Sequence, residues 1–554
     1  MKKISKKFLH CLLALSMLIL SAGALTACGD RVHIEDTDQF LETYVWQGGY
    51  GTDWLDAMLV DFSNQDWVKE KYPDFDYYVH KNADYAFTAS RVSAGSANTI
   101  DLLFGVDVQR FYGSVKDGKP LLTDLTELVY NATVPGEDIT VGDKMLDTFK
   151  EANVYYDLNA SEGDEPKYFA TSWGAGMDGL MYNATILEEL GMDVPVTTDE
   201  LIALCQDIKD LNGSDPAYGE SYSIIASTST GYWSYMFPQW WAQYEGVEGY
   251  SNYYNGISEG RLSSNAVKQT GRLESLKVID TLLSGNNGYY DEGSNEYEYM
   301  EAQTNFIMGK GLFIVCGDWF SREMRDLIAD LKTEGYDYKI NFMRTPIISS
   351  IVDRTPSIKT AAAAAGITDD EMLVRVIEAV DKKAPAPDGV TQADYDIIKE
   401  ARGVVYTTGM NDTSVIPETA SAKQVAVDFL RYMATDRAQS IYIENTDGSA
   451  LPYSYDLKVK DPELYNAIQP LQQSRADIFA DEDLLTILPA ELSFRLSTFG
   501  GLKALTTVTS TLEAIFNTTG SSRTTAEDIY QQEIEWWTAD NNRRWNQAVQ
   551  DARL

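Results

Sequence analysis

The sequence predicts an α/β protein with parallel sheets. Strand-like and helix-like segments alternate from residue 43 onward, the third strand-like segment is apolar on both faces, and 44% of the 554 residues are hydrophobic. Alternation of this kind is typical of right-handed βαβ units, and a strand that is apolar on both faces is typical of a buried parallel sheet. The composition is that of a globular chain, and the length indicates about three to four units of roughly 150 residues.

The first βαβ pattern occupies the start of the globular part. Its elements, in order, are a strand at 43–46, a helix at 54–67, a strand at 75–79, a helix at 85–94 and a strand at 100–105. The first helix carries Leu55, Met58, Leu59 and Phe62 on one face. In an open parallel sheet, ligands bind beyond the carboxyl ends of the strands, so the loops at 47–53 and 105–109 are expected to line a ligand site.

Further elements follow along the chain. They are a strand at 168–173, a helix at 184–191, a helix at 201–211 capped by 197–200, a strand at 312–316, an Ala/Pro-rich region at 361–387, a helix at 425–433 and a helical tail at 524–554. The irregular region indicates an inserted helical element.

The N-terminus is a processing segment. Four lysines at positions 2, 3, 6 and 7 precede an apolar run at 8–20, which is too short for a stop-transfer helix. Residues 25–29, Leu-Thr-Ala-Cys-Gly, resemble a bacterial lipobox, in which Cys28 is lipidated and becomes the new N-terminus. The alternative is a plain secretory signal with an incidental cysteine. We expect a signal peptide at 1–27 and a lipid-anchored tether at 28–40, on the outer face of the cell membrane.

Charge and composition exclude several function classes. Acidic residues number 84 against 45 basic ones, for a net charge of −39, so a nucleic acid partner is not expected. Only three histidines are present, which leaves little material for histidine metal sites or Ser-His-Asp triads. The acidic stretch at 291–296 does not follow a calcium-loop spacing and indicates a solvated loop. Cys205 and Cys316, in apolar contexts, are expected to be buried free thiols rather than a disulfide.

Four stretches occur in a recognisable order within about residues 40–455. They are the opening strand pattern that ends in Asp-Leu-Leu-Phe at 101–104, the run from Gly-Leu-Met-Tyr-Asn at 179–183 to Thr-Asp-Glu-Leu at 198–201, the run from Phe306 to Trp319, and the run from Ala426 to Pro452. Together they resemble the extracellular solute-binding proteins of bacterial ABC importers, in the maltose-binding-protein-like family that binds sugars and oligosaccharides. Two departures are Thr99-Ile100 in place of the usual Pro, and extra length near 345–405 and at the C-terminus.

The resemblance implies a two-lobe clamp of the periplasmic-binding-protein type that closes on its ligand. Each lobe would be a mixed or parallel sheet flanked by helices, and hinge strands would join the lobes, with chain crossings near 173–178, near 345–356 and after Pro452. It implies an N-lobe of 41–175 plus about 350–452, and a C-lobe of 176–349 plus about 453–554. It further implies a monomer that captures a sugar or oligosaccharide and delivers it to the permease of an ABC transporter, without catalysis, cofactor or metal. Lobe closure would give the permease a shape to recognise.

Candidate binding residues lie on loops expected at the cleft. Aromatic rings cover the apolar faces of a sugar, while polar side chains satisfy its hydroxyls. The candidates are Trp46, Tyr50, Asp53, Asp107, Trp173, Asp178, Trp233, Tyr235, Asp318 and Trp319. Core packing is the competing interpretation for each tryptophan, and a solvated surface acid or helix cap is the competing interpretation for the aspartates.

Three other functions remain open at the level of sequence. A surface glycoside hydrolase would need two carboxylates about 5–10 Å apart, and no pair of glutamates at strand ends stands out. The same clamp could bind another solute, such as a peptide or a polyamine. It could also dock a signalling receptor instead of a permease.

Overall fold

A computed structural model of the chain describes residues 37–106, 108–155, 166–214, 222–225, 232–254, 256–290, 292–407, 412–487 and 524–538. The expected signal peptide, Cys28 with most of the tether, and Asp107 lie outside these residues. In the part of the chain that is described, no helix combines the length and the apolar character needed to cross a bilayer. Cys205 and Cys316 are buried free thiols, as the sequence predicts.

Short and long strands alternate with helices along the chain. The strands are β1 (Phe40–Trp46), β2 (Asp76–Asn82), β3 (Leu102–Val106), β4 (Val115–Lys116), β5 (Lys119–Pro120), β6 (Val154–Tyr155), β7 (Lys167–Tyr168), β8 (Thr171–Ser172), β9 (Asp178–Asn183), β10 (Tyr222–Ile225), β11 (Ile257–Ser258), β12 (Arg261–Leu262), β13 (Gly311–Gly317), β14 (Ile340–Phe342), β15 (Val404–Tyr406), β16 (Asp412–Val415) and β17 (Leu485–Ile487).

The helices show the same α/β alternation. They are α1 (Asp53–Asn64), α2 (Asp66–Lys71), α3 (Phe87–Ala94), α4 (Val141–Lys144), α5 (Asp147–Ala152), α6 (Ala184–Leu190), α7 (Thr198–Ser214), α8 (Met236–Glu245), α9 (Val247–Tyr254), α10 (Thr270–Leu283), α11 (Tyr299–Ile307), α12 (Phe320–Thr333), α13 (Pro356–Ala365), α14 (Asp369–Asp381), α15 (Gln392–Gly403), α16 (Lys423–Met433), α17 (Asp436–Asn445), α18 (Leu457–Lys460), α19 (Pro462–Ala467), α20 (Pro470–Phe479) and α21 (Ala526–Thr538).

The first lobe is built on a five-stranded sheet in the order β2-β1-β3-β16-β8. Strands β2, β1 and β3 are parallel, which confirms the βαβ pattern predicted at the start of the chain. Strand β16, which arrives from far along the sequence, pairs antiparallel with both β3 and β8. Helix α1 covers this sheet with Leu55, Met58, Leu59 and Phe62, which recur at helical spacing and are fully buried.

The second lobe is built on a sheet in the order β10-β13-β9-β15-β17, with β14 paired to the free part of β9. Strands β10 and β13 are parallel, and β9 runs antiparallel to β13, β14 and β15. Every residue of β13 is buried, as expected for a central strand covered on both faces. The architecture is therefore a mixed α/β clamp with one sheet in each lobe, which confirms the fold class predicted from the sequence.

The chain crosses between the two sheets after β8, after β15 and after residue 452. The second crossing lies between Tyr406 and Asp412, since β15 belongs to the second sheet and β16 to the first, and not near 345–356 as expected from the sequence. Residues 356–403 form three helices whose apolar faces join the core of the second lobe through Ile358, Leu373 and Ile398. This part of the segment 350–452 therefore packs with the second lobe and not with the first, because burial of these faces follows the nearest apolar surface.

Candidate ligand-binding cleft

The first lobe contributes the loop after β1 to the junction between the lobes. Trp46 ends that strand and keeps part of its ring accessible, with its Nε1 donating to the Ala83 carbonyl at 3.4 Å. Tyr85 meets it edge-on, with 5.9 Å between ring centroids. Four residues later, Tyr50 turns inward and is only 3% exposed. The loop thus presents one ring near the surface and one buried phenol at the strand ends.

The second lobe contributes the turn after β13. Trp319 follows this strand and precedes helix α12, and its ring lies directly over Gly317, where a Cβ atom would collide with the indole. Tyr50 from the first lobe meets the indole with 6.5 Å between centroids, and Tyr232 and Tyr235 meet it at 6.0 and 6.4 Å. Trp319 remains partly exposed. A partly accessible indole is therefore surrounded by tyrosines from both lobes.

Asp318 connects the lobes beneath Trp319. The Tyr50 hydroxyl donates to its Oδ1 at 2.9 Å, and the Ser449 hydroxyl donates to its Oδ2 at 2.7 Å. The Arg475 guanidinium approaches Oδ2 at 3.4 Å and also donates to the Ala175 carbonyl. Burial raises the pKa of Asp318, while the Arg475 charge and the two hydroxyl donors act in the opposite direction. A single buried carboxylate thus holds both lobes and a crossing segment together.

More polar groups surround this carboxylate. Asp412 begins β16 at the second crossing, and burial followed by the Asp318 charge raises the pKa of Asp412 well above its usual range. Tyr442 is fully buried, and the charges that act on its phenol are those of Asp412, Asp318 and Arg475. Together we call six residues the floor cluster. They are Tyr50, Asp178, Asp318, Asp412, Tyr442 and Arg475.

Ion pairs join the lobes at the edge of the cleft. Arg322, in the first turn of α12, pairs with Asp53 at the start of α1 and reaches Asp447 at 3.5 Å. Arg325 reaches the same Asp447 at 3.4 Å. The Asp53 side chain is 56% exposed, so water and salt screen its pair with Arg322. These contacts form a partly exposed rim around the buried floor.

The structure brings most of the sequence-predicted residues together. The Tyr50 ring, Asp318 and Trp319 are in direct contact, Tyr235 packs on Trp319, Asp178 belongs to the floor cluster and Asp53 to the rim. Trp173 is instead fully buried in the first-lobe core, stacked on Trp54 at 5.3 Å, and its Nε1 donates to the Gly105 carbonyl at 3.2 Å.

Trp233 is also packed away from the surface. It is 2% exposed and belongs to the core of the second lobe, since the short helix Tyr232–Tyr235 turns this ring inward and its neighbours Tyr232 and Tyr235 toward Trp319. No described contact therefore places the Trp173 or Trp233 ring beside the accessible indole.

Several residues of the junction were missed at the sequence level. They are Tyr232, Arg322, Tyr406, Asp412, Tyr442, Ser449 and Arg475. Tyr232 lies in the aromatic run that the sequence singles out, and Tyr406 stacks on Tyr235 at 5.7 Å. Asp412 and Arg475 carry no local motif, because only the second and third crossings bring them to Asp318. Had the second crossing been predicted between β15 and β16, Asp412 would have been a candidate, because it is the first residue after that crossing.

The arrangement suits a ligand with both apolar faces and hydrogen-bonding groups. The indole and tyrosine rings offer flat apolar surfaces, while the carboxylates, phenols and guanidinium offer acceptors and donors. Within the described ranges, no group of three or more His, Cys, Asp or Glu side chains is placed to hold a metal ion. The site therefore has the chemistry of a polar cleft with aromatic walls.

Comparison with known proteins gives structural but no sequence matches. No protein-family model and no curated protein matches the chain. Among solved structures, a chitin oligosaccharide binding protein is similar at 14% identity and a TM-score of 0.52, over 91% of this chain and 100% of that chain. The ABC substrate-binding protein Lmo0181 from Listeria monocytogenes, in complex with cycloalternan, is similar at 13% identity and a TM-score of 0.52, over 92% and 99%.

A third solved structure extends the likeness. The binding protein MsmE from Bacillus subtilis, in an open conformation, is similar at 12% identity and a TM-score of 0.51, over 94% of this chain and 100% of that chain. The likeness covers nearly the whole length of each of the three proteins, and it agrees with the two sheets and three crossings described above. The chain therefore shares the two-lobe fold of these three proteins.

Proposed function

We propose that this protein binds a sugar or oligosaccharide between its lobes and delivers it to the permease of an ABC transporter, without chemical turnover. The observation that carries the proposal is the partly accessible Trp319, which is surrounded by tyrosines from both lobes above a buried carboxylate. Such a ring can cover the apolar face of a pyranose while the floor cluster meets its hydroxyls. Two of the structurally similar proteins are a chitin oligosaccharide binding protein and a protein in complex with cycloalternan.

Ligand binding is tested by a thermal-shift screen of the purified protein against mono- and oligosaccharides, peptides and polyamines. A ligand at 100 times its dissociation constant stabilises the folded state by about 2.7 kcal/mol, so a specific ligand is easily detected. We expect a shift with one class of glycan, with the glycan recovered intact. A cleaved glycan would instead establish a glycoside hydrolase, and a response to peptides alone would replace the sugar with another solute.

Permease delivery requires its own assay. An ABC sugar permease from the same cell, reconstituted in liposomes, should import the identified glycan only when the protein is added. A permease that ignores the loaded protein, together with specific glycan binding, would favour a ligand sensor that docks a receptor.

We further propose that Cys28 carries the lipid that holds the protein at the outer face of the membrane, after removal of residues 1–27. The Cys28→Ala variant should lose incorporation of labelled fatty acid and move from the membrane to the soluble fraction. Cys11→Ala is the matched control, since this cysteine lies within the same segment but before the proposed cleavage site, and it should leave labelling unchanged. Continued labelling of Cys28→Ala would contradict the anchor.

A further inference from the structure

The floor cluster contains more negative than positive groups. Beside Asp318 lies a second carboxyl group, that of Asp412, while Arg475 is the guanidinium that pairs with Asp318. At the nearby rim the acids have cationic partners, because Arg322 and Arg325 form ion pairs with Asp53 and Asp447. The cleft floor is therefore short of cations relative to its acids, in a region where water is largely excluded.

The carboxyl groups of Asp318 and Asp412 differ in their hydrogen-bond and ion-pair partners. Asp318 accepts hydrogen bonds from Tyr50 and Ser449 and pairs with Arg475. Arg475 is already committed, because it also donates to the Ala175 carbonyl. No residue in the described part of the chain donates a hydrogen bond to the Asp412 carboxylate or forms an ion pair with it. Asp412 is only partly buried, unlike the fully buried Asp318.

Tyr442 supplies an independent observation at the same place. Its ring is 0% exposed, and its hydroxyl has no hydrogen-bond partner within the described residues. Among charged groups, Asp412 and then Asp318 act most strongly on this phenol. A buried hydroxyl without a partner is costly, and native proteins rarely retain one unless another group completes it. Both residues adjoin Tyr50, because its ring centroid lies 6.4 Å from that of Tyr442, and a Cβ atom at Gly174 would meet both the Tyr50 ring and the Asp412 carboxyl. The Asp412 carboxyl and the Tyr442 phenol thus belong to one site, and the described residues supply neither of them with a hydrogen-bond partner.

A ligand can complete these two groups in one of two ways. A sugar hydroxyl would hydrogen-bond to both but would leave the charge deficit in place. A protonated amine would donate to both and would also supply the missing positive charge, and charge-assisted hydrogen bonds are roughly twice as strong as neutral ones. The excess of carboxylates over guanidinium favours the amine.

We propose that the cleft selects an amino sugar, whose ammonium group pairs with Asp412 and donates to the Tyr442 hydroxyl. This inference rests on the proposed sugar-binding function and narrows its ligand class. Asp412 is then a specificity-determining residue, while Trp319 and the tyrosines recognise the sugar ring irrespective of the amine.

The test uses matched oligosaccharides that differ only at one ring position, which carries an amine, an N-acetyl group or a hydroxyl, in both gluco and galacto configurations. Spermidine serves as an amine without a sugar ring. Affinities are measured by isothermal titration calorimetry near neutral pH. We expect the amine form to bind at least about tenfold more tightly than its hydroxyl and N-acetyl counterparts.

Calorimetry in buffers of different ionisation enthalpy adds a second readout. Burial and the charge of Asp318 raise the pKa of the Asp412 carboxyl, and Tyr50 and Tyr442 are the phenols on which the Asp412 charge acts. An arriving ammonium favours the carboxylate, so binding of the amine form should release a proton to the buffer. Hydroxyl and N-acetyl sugars should release none.

The variant Asp412→Asn keeps the size of the side chain and removes its charge. It should lose both the preference for the amine over the hydroxyl form and the proton release. Asp337→Asn is the matched control, because this exposed acid pairs with Lys332 on the surface of the second lobe and should keep the wild-type preference.

Each outcome separates this inference from the proposed function. Equal affinity for amine and hydroxyl sugars would overturn the amino-sugar inference and leave sugar binding intact. Binding of spermidine without any sugar would overturn the sugar function and with it the amino sugar. An amine preference that survives in a folded Asp412→Asn variant would remove Asp412 from the site and overturn its proposed role. The wild-type ligand series and its proton release decide the matter even if the variant fails to fold.

Discussion

Trp173 and Trp319 occupy similar places in the chain but different places in the molecule. Each follows a strand that leads toward the lobe junction, and the Tyr50 ring lies against both, at 6.2 Å from Trp173 and 6.5 Å from Trp319. Trp173 is fully buried and stacked on Trp54, whereas Trp319 is partly exposed among tyrosines of both lobes. The difference shows that the position after a strand brings a ring to the junction, but its packing partners decide whether a ligand can reach it.

The largest expected effect is a difference in stability between the Trp173→Ala and Trp319→Ala variants. Replacing Trp173 by Ala removes a fully buried indole and leaves a cavity beside Trp54, so the free energy of unfolding should fall by about 3–5 kcal/mol. Urea denaturation measures the loss, and Trp319→Ala is the matched control with a smaller expected loss because its ring is partly exposed. Equal losses in the two variants would mean that Trp319 is as much a core residue as Trp173.

The next effect is a pH dependence of stability that arises close to Trp319. Glu323 lies one helical turn after Trp319, and burial raises its pKa from 4.5 to about 7, although Gln303 donates to it at 3.2 Å. Between pH 4.5 and about 7 the folded state therefore binds more protons than the unfolded state. The free energy of unfolding should decrease as the pH rises through this range, by at most about 3 kcal/mol.

Denaturation at a series of pH values checks this slope. The variant Glu323→Gln should lose the part of the pH dependence that is due to Glu323 and keep the part that is due to other titratable groups. A slope between pH 5 and 7 that is identical in the two proteins would contradict the assigned burial of Glu323.

A smaller effect concerns ligand binding. Trp319→Ala should weaken binding of the identified sugar by more than about 1 kcal/mol, because the stacking surface is lost, while Trp319→Phe should retain part of it. Titration calorimetry on folded variants gives both values. Unchanged affinity in Trp319→Ala would place both tryptophans outside the ligand site and remove the contrast between them.

The smallest effect is expected at the rim. Arg322→Ala removes an ion pair with the exposed Asp53 and a longer one with the partly buried Asp447, and ion pairs near the surface contribute about 1 kcal/mol or less. Ligand affinity and stability should therefore change by less than about 1 kcal/mol, and the difference from wild type should shrink at high salt. A larger effect that persists in salt would mean that the rim, and not the floor, holds the lobes together.

Much of the fold follows from local patterns in the sequence. The spacing of Leu55, Met58, Leu59 and Phe62 identifies helix α1, and the apolar run of β3 identifies a buried strand, because burial against one sheet requires those periods. Tyr50, Asp318 and Trp319 could be selected because they directly follow strands. The second crossing was misplaced because helices α13–α15 also have amphipathic patterns, and such a pattern does not say which lobe buries it.

The sequence by itself determined the alternation of strands and helices, the parallel start of the first sheet and the aromatic candidates after its strands. Only the tertiary structure decided that Trp173 packs on Trp54, that Trp319 stays accessible, and that Asp412, Tyr442 and Arg475 meet around Asp318. Periodicity is a property of neighbouring residues and can be read locally. The meeting of residues that are far apart in the sequence depends on three chain crossings and on competition for buried surface, which no local pattern encodes.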